Sequence, residues 1–159
     1  AANDALLGEM PPSDHRLAAA NIRPRLRMIA LYYLAQSHNY LVLGSGNKAE
    51  LMAGYFTKWG DGGVDLLPLG DLSKTEVWEM ARELGVPQQV VDRVPSAGLW
   101  PGQTDEGEMG ITYAELDRTL VASEAGDTSD IAPTTLEKVQ GMMARSAHKL
   151  VMPPVFRLE

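Results

Sequence analysis

The chain has 159 residues, a formal net charge of -7, 45% hydrophobic and 22% charged residues, and no cysteine. Such a length suits one domain built on one core, so residues 1–159 read as a single domain, and the composition excludes a chain disordered throughout. The acidic balance excludes a broad nucleic-acid-binding surface, and the missing thiol excludes disulfides, thiolate metal sites and a cysteine nucleophile that would release ammonia from glutamine.

Taken in chain order, residues 1–20 carry a weak apolar pattern broken by Pro11 and Pro12, which predicts a covering loop. From Ile22 the pattern turns helical: Pro24 suits a first turn, and Leu26, Ile29, Ala30, Tyr33 and Leu34 share one face as far as His38 and Asn39. Arg23, Arg25 and Arg27 crowd the start of that helix, where the macrodipole is already positive, so they are either solvated or close to an anion. Residues 40–43 form a short apolar run of the kind found in buried parallel strands, and Gly44, Ser45 and Gly46 then turn the chain where open sheets bind ligands.

Asn47 and Glu50 have capping-box spacing. Glu50 also lies one helical turn past the strand exit, where its oxygens suit Mg2+, a cation that takes one or two carboxylates with phosphate oxygens and water. The loop YFTKWGDGG over 55–63 carries Lys58 and Asp61 between glycines that permit positive φ and close backbone approach. Residues 66–69 read as a second short strand, and Ser73 with Glu76 forms another capping box for a helix whose buried stripe is Val77, Met80, Ala81 and Leu84. Lys74 falls in the first turn of that helix, beside backbone amides that attract phosphate.

A short helix follows over 88–93, and Ser96 lies in a turn where its hydroxyl either donates to an anion or bonds its own backbone. The acidic run over 103–130 reads mainly as a solvated face. Thr112 and Glu115 cap another helix, and a last one over 133–148 turns Leu136, Val139 and Met143 inward before the cationic His148 and Lys149. Nowhere does an apolar run approach the ~18 residues of a membrane span, and no basic segment precedes an apolar one at the N-terminus, so the expected location is the cytoplasm.

The runs NIRPRLRM (21–28), LGSGNKAELMAGYFTKWGDGGVDLLPLGDLSKTEV (43–77), PSAGLWPGQTDEGEMGITYAELD (95–117) and AHKLVMPP (147–154) resemble the ammonia-dependent NAD synthetases, above all the short type without a glutaminase domain. The resemblance implies an α/β fold of the adenine-nucleotide alpha-hydrolase kind, that of the N-type ATP pyrophosphatases, with a parallel sheet flanked by helices. It implies a ligase that adenylates the nicotinate carboxylate of deamido-NAD with ATP, releases pyrophosphate, and lets ammonia displace AMP. By the same resemblance Glu50 binds Mg2+ and shares catalysis with Lys74; Ser45, Lys74 and Ser96 contact ATP; Arg25, Lys58, Asp65, His148 and Lys149 hold deamido-NAD. A homodimer is implied as well, with no nucleic-acid or membrane partner.

One departure stands out. The family's upstream half carries an SGGxDS pyrophosphate loop after a strand, and this sequence has no such motif. The expectation is part of an NAD synthetase domain without its opening strands, active only where the intact protein supplies that loop. The alternative is a non-catalytic dinucleotide-binding or dimerisation module.

Overall fold

The three capping boxes read from the sequence each start a helix, in a computed structural model that describes residues 2–158. In order the helices are α1 (Ala2–Glu9), α2 (Arg16–Ala20), α3 (Ile22–His38), α4 (Lys48–Ala53), α5 (Lys74–Glu83), α6 (Gln88–Val91), α7 (Asp105–Met109), α8 (Tyr113–Ala125) and α9 (Pro133–Ser146), with a 3-10 turn over Ala147–Lys149. At α4 the Asn47 side chain accepts the Glu50 amide at 3.0 Å and Glu50 accepts the Asn47 amide at 3.2 Å. A reciprocal cap of this kind contributes about 1 kcal/mol.

The core lies where α4, α8 and α9 meet. Ala49, Ala53, Leu116, Leu120, Val139 and Met142 pack there with the fully buried Tyr113, and Trp78 of α5 closes one side edge-on to the Tyr113 ring. Ala49 and Ala53 are small, so α4 approaches its neighbours closely. Gly54, which ends α4 at φ +69, leaves no room for a methyl: a Cβ there would lie 2.0 Å from Cβ of Ser146 in α9.

The expected parallel sheet is reduced, among the described residues, to one parallel bridge between Leu43 and Leu66. Gly44 donates its amide to the Leu66 carbonyl at 2.8 Å and Asp65 donates to the Val42 carbonyl at 2.9 Å. Nothing lengthens the ladder, because Pro68 has no amide to give and the two segments have no further strand beside them among the described residues. Tyr40, Leu41, Leu43 and Leu66 are consequently exposed, although their apolar run predicts burial.

Other expectations change for similar reasons. The segment over 2–20, expected as a loop, forms the two helices α1 and α2 on either side of the Pro11–Pro12 break. Helix α3 has the expected span, yet Ile29, Tyr33 and Leu34 face outward and only Pro24 and Ala35 are buried. On α5 Met80 is exposed and Val77 half-buried, and Leu84 at the helix's C-cap is exposed, so the predicted stripe is only partly covered. The acidic run is mostly the solvated face expected, with Glu108, Glu115, Glu124, Asp127 and Asp130 exposed, but Asp105 and Asp117 are each 5% exposed and lie inside.

Candidate active site

A cleft of about 520 Å³ opens between α3 and the 54–63 loop. Leu17, Met28 and Leu31 form its apolar wall, and Tyr55, Phe56 and Thr57 face them. Polar groups enter from several elements: Ser45 from the turn after the bridge, Arg27 from α3, Gln103 and Glu108 from the α7 region, and Lys149 from the 3-10 turn.

The loop that forms one side of this cleft is tightly tied. Asp61 accepts the Thr57 amide at 3.0 Å, and the Thr57 hydroxyl donates to Asn21 at 2.9 Å. Positive φ was expected at the loop glycines, but Trp59 takes it at 63°. Gly62 is needed for space instead, since a Cβ there would sit 2.4 Å from the Phe56 ring. Lys149 donates to the carbonyls of Gly54 and Phe56 at 2.6 and 2.8 Å, and burial pushes its ammonium pKa down from the usual lysine range. Lys58 reaches the other way, donating to the carbonyls of His148 and Val151.

A second polar cluster is built on α4, α5, α7 and α8. Lys74 Nζ donates to Glu50 Oε1 at 3.2 Å and stands 5.0 Å from the centre of the Tyr113 ring. The Tyr113 hydroxyl donates to Asp105 Oδ2 at 3.0 Å and lies 3.5 Å from Glu50 Oε1. Beside it, Tyr55 donates to Glu108 Oε2 at 2.7 Å, and Gln103 donates to the same oxygen at 2.7 Å. Burial, followed by the negative charge of Glu50 and Asp105, pushes the Tyr113 phenol well above its ordinary value. Burial and the bond to Glu108 do the same for Tyr55, so both phenols are neutral donors.

The structure joins some of the residues singled out from sequence and separates others. Glu50 and Lys74 form a direct ion pair, with side chains 20% and 16% exposed. Ser45 and Lys149 line the cleft, whereas Lys58 and His148 stand beside it in the tie between loop and C-terminal segment. Arg25 donates to the Lys58 carbonyl at 3.3 Å, so the arginine at the helix start is attached to that same loop. Asp65 accepts from the Tyr32 hydroxyl at 3.0 Å and from the Val42 amide at 2.8 Å, bracing the bridge. Ser96 is exposed and its oxygen accepts the Gly98 amide at 3.1 Å, leaving its own proton available.

The amides at the start of α5 were expected to be free for phosphate. They are taken: Asp117 accepts from Lys74 and Thr75 at 3.3 and 2.9 Å, and Ser73 accepts from Glu76 at 3.2 Å. Sequence reasoning also missed Tyr55, Asp105, Glu108 and Tyr113. The available signal was the helical spacing of Tyr113 and Asp117, which puts an aromatic and a carboxylate on the same face of α8 as Leu116 and Leu120.

Glu50 offers one carboxylate, and among the described residues no group of three or more acidic or histidine side chains could cage a metal. A single carboxylate fits Mg2+, which completes its shell with phosphate oxygens and water. Among the described residues no helix is long and apolar enough to cross a membrane.

A cleft edged by a hydroxyl and a half-buried lysine, and a separate carboxylate paired with a helix-start lysine, suit a protein that handles a small anionic ligand. The family model described as NAD synthase matches residues 2–153, and the chain belongs to that family. It is 53% identical over 151 residues to the NH(3)-dependent NAD(+) synthetase of Carboxydothermus hydrogenoformans, covering 95% of this chain and 60% of that protein. It is 57% identical over 143 residues to the enzyme of the same name from Archaeoglobus fulgidus, covering 90% and 57%. Among solved structures, the NMN synthetase of Francisella tularensis superposes with a TM-score of 0.88 at 39% identity, covering 99% of this chain and 63% of that one. The chain thus spans less than two thirds of the length of each.

Proposed function

We propose that the intact protein is an ammonia-dependent NAD synthetase. A carboxylate oxygen of deamido-NAD attacks the α-phosphorus of ATP and pyrophosphate leaves. Ammonia then attacks the acyl carbon, AMP departs with the electrons of the C–O bond, and the added nitrogen loses its surplus proton. The observation that carries this reading is the Glu50–Lys74 pair at 3.2 Å: a carboxylate and an ammonium 24 residues apart in sequence are held together with side chains 20% and 16% exposed, a fixed arrangement of charge.

In this reading Lys74, Ser45 and Ser96 hold the ATP, with the lysine neutralising phosphate charge and the two hydroxyls donating to phosphate oxygens. Arg25, Lys58, Asp65, His148 and Lys149 hold deamido-NAD. Glu50 would hold Mg2+, which neutralises charge on the phosphate chain when bound. Tyr113 stays protonated beside Glu50 and Asp105, so it orients both carboxylates without adding a charge. The expected parallel sheet, with further strands along the exposed 40–43 and 66 edge, belongs to this proposal, as do a cytoplasmic location and a homodimer. The exposed Leu41, Leu43 and Leu66 support the additional strands, because an apolar edge of this kind is stable when covered.

The mononucleotide synthetase among the structural neighbours gives a second reading, in which the product is NMN. The curated relatives, at 53% and 57% identity, favour the dinucleotide. The test is to supply the intact protein with ATP, ammonia and either deamido-NAD or its mononucleotide half, and to measure pyrophosphate and amide product. Release of both with deamido-NAD supports the proposal. Dinucleotide binding without pyrophosphate release would leave the non-catalytic module.

A further inference from the structure

Helix α5 starts with four amides that its own turn cannot pair. The capping box removes two of them: Glu76 accepts the Ser73 amide at 2.7 Å, and the Ser73 hydroxyl accepts the Glu76 amide at 3.2 Å. Local sequence supplies nothing for the Lys74 and Thr75 amides. Asp117, 43 residues past Lys74 in the chain, accepts both, one on each carboxylate oxygen at 3.3 and 2.9 Å, and takes the Thr75 hydroxyl at 3.0 Å as well. At 5% exposure this carboxylate is inside the protein, where such bonds are strong and a misplaced partner is costly.

The same face of α8 holds the other end of Lys74. Tyr113 is one helical turn before Asp117, and its ring lies 5.0 Å from the Lys74 ammonium while its hydroxyl stands 3.5 Å from the Glu50 oxygen that the ammonium meets. Backbone and side chain of one lysine are thereby fixed by two residues four apart on one helix. We propose that Asp117 is a positioning residue for Lys74, pinning the start of α5 so that the ammonium stays on the Glu50 side of the Tyr113 ring. It acts through the lysine and touches no substrate. This inference rests on the functional reading above, and it adds a residue that the capping pattern and the spacing of the lysine do not reveal.

The test uses the intact enzyme and steady-state kinetics in both substrates. Asp117→Asn keeps the shape but presents an amide N–H where one carboxylate oxygen accepted, so it is expected to lower kcat and raise the KM for ATP by about tenfold to a hundredfold while leaving the KM for deamido-NAD unchanged. Placed on a Lys74→Ala background, the same substitution is expected to add almost nothing, since the group it positions is gone. Thr75→Val removes one of the three bonds and is expected to show a smaller loss of the same pattern, which keeps the test available should Asp117→Asn fold poorly. A variant with a lower Tm but wild-type kinetics per folded molecule overturns the inference, as does a full further loss on the Lys74→Ala background. Were the wild-type enzyme to turn over nothing, the functional reading would fall and this inference with it; an active wild type with a kinetically silent Asp117→Asn removes this inference alone.

Discussion

Lys58 and Lys149 hold each other's segments. Lys149 in the 3-10 turn donates to the carbonyls of Gly54 and Phe56, and Lys58 in the loop donates back to the carbonyls of His148 and Val151. Both cations are spent on backbone oxygens in this state, so the loop and the C-terminal segment form one unit. An anionic ligand drawn to either lysine competes with that unit.

Lys149→Met is expected to destabilise the protein by about 1–3 kcal/mol, because two carbonyls lose a charged donor and the half-buried stem keeps its packing. Chemical denaturation gives the magnitude. Limited proteolysis gives the location, with new cleavage expected over residues 54–63 and none in α8.

Lys74→Ala is expected to lower turnover by about a hundredfold or more, with little change in affinity for deamido-NAD. Lys58→Ala is expected to do the reverse, chiefly raising the KM for deamido-NAD. Initial-rate measurements in both substrates separate the two, and equal effects on both constants would contradict the division of labour.

Gly54→Ala is expected to cost at least about 3 kcal/mol, since it adds an atom 2.0 Å from Cβ of Ser146 and holds a left-handed φ of 69° without glycine's freedom. Ser146→Gly in the same chain removes the clash and is expected to restore most of the loss, leaving about 1 kcal/mol of backbone strain. Denaturation midpoints of the single and double variants measure the rescue.

Stability is expected to fall above pH 10. Tyr55 and Tyr113 have folded pKa values raised above the ordinary 10.0, mainly by burial, while the unfolded chain ionises near that value. Between those two values the unfolded state has lost protons that the folded state keeps, so unfolding becomes easier as pH rises. Tyr113→Phe should flatten that alkaline slope, as read by denaturation at several pH values. At neutral pH it should cost about 1–3 kcal/mol, because it removes the hydroxyl that donates to the buried Asp105, whose other oxygen already lacks a partner.

What the residues alone determined depends on neighbours close in sequence. The capping boxes at Asn47, Ser73 and Thr112, the span of α3 and the start of α9 at Pro133 all follow from three- and four-residue relationships, and all are present. The motif runs named the family for the same reason, being contiguous stretches. Tertiary structure decided what depends on distant partners. A strand exists only through the segment beside it, so residues 40–43 became one bridge with exposed leucines despite an apolar run that predicts burial. An acidic residue counts as surface or as cap only once its partner is known, and Asp117 found its partner 43 positions away, at two amides whose need is created by the start of another helix.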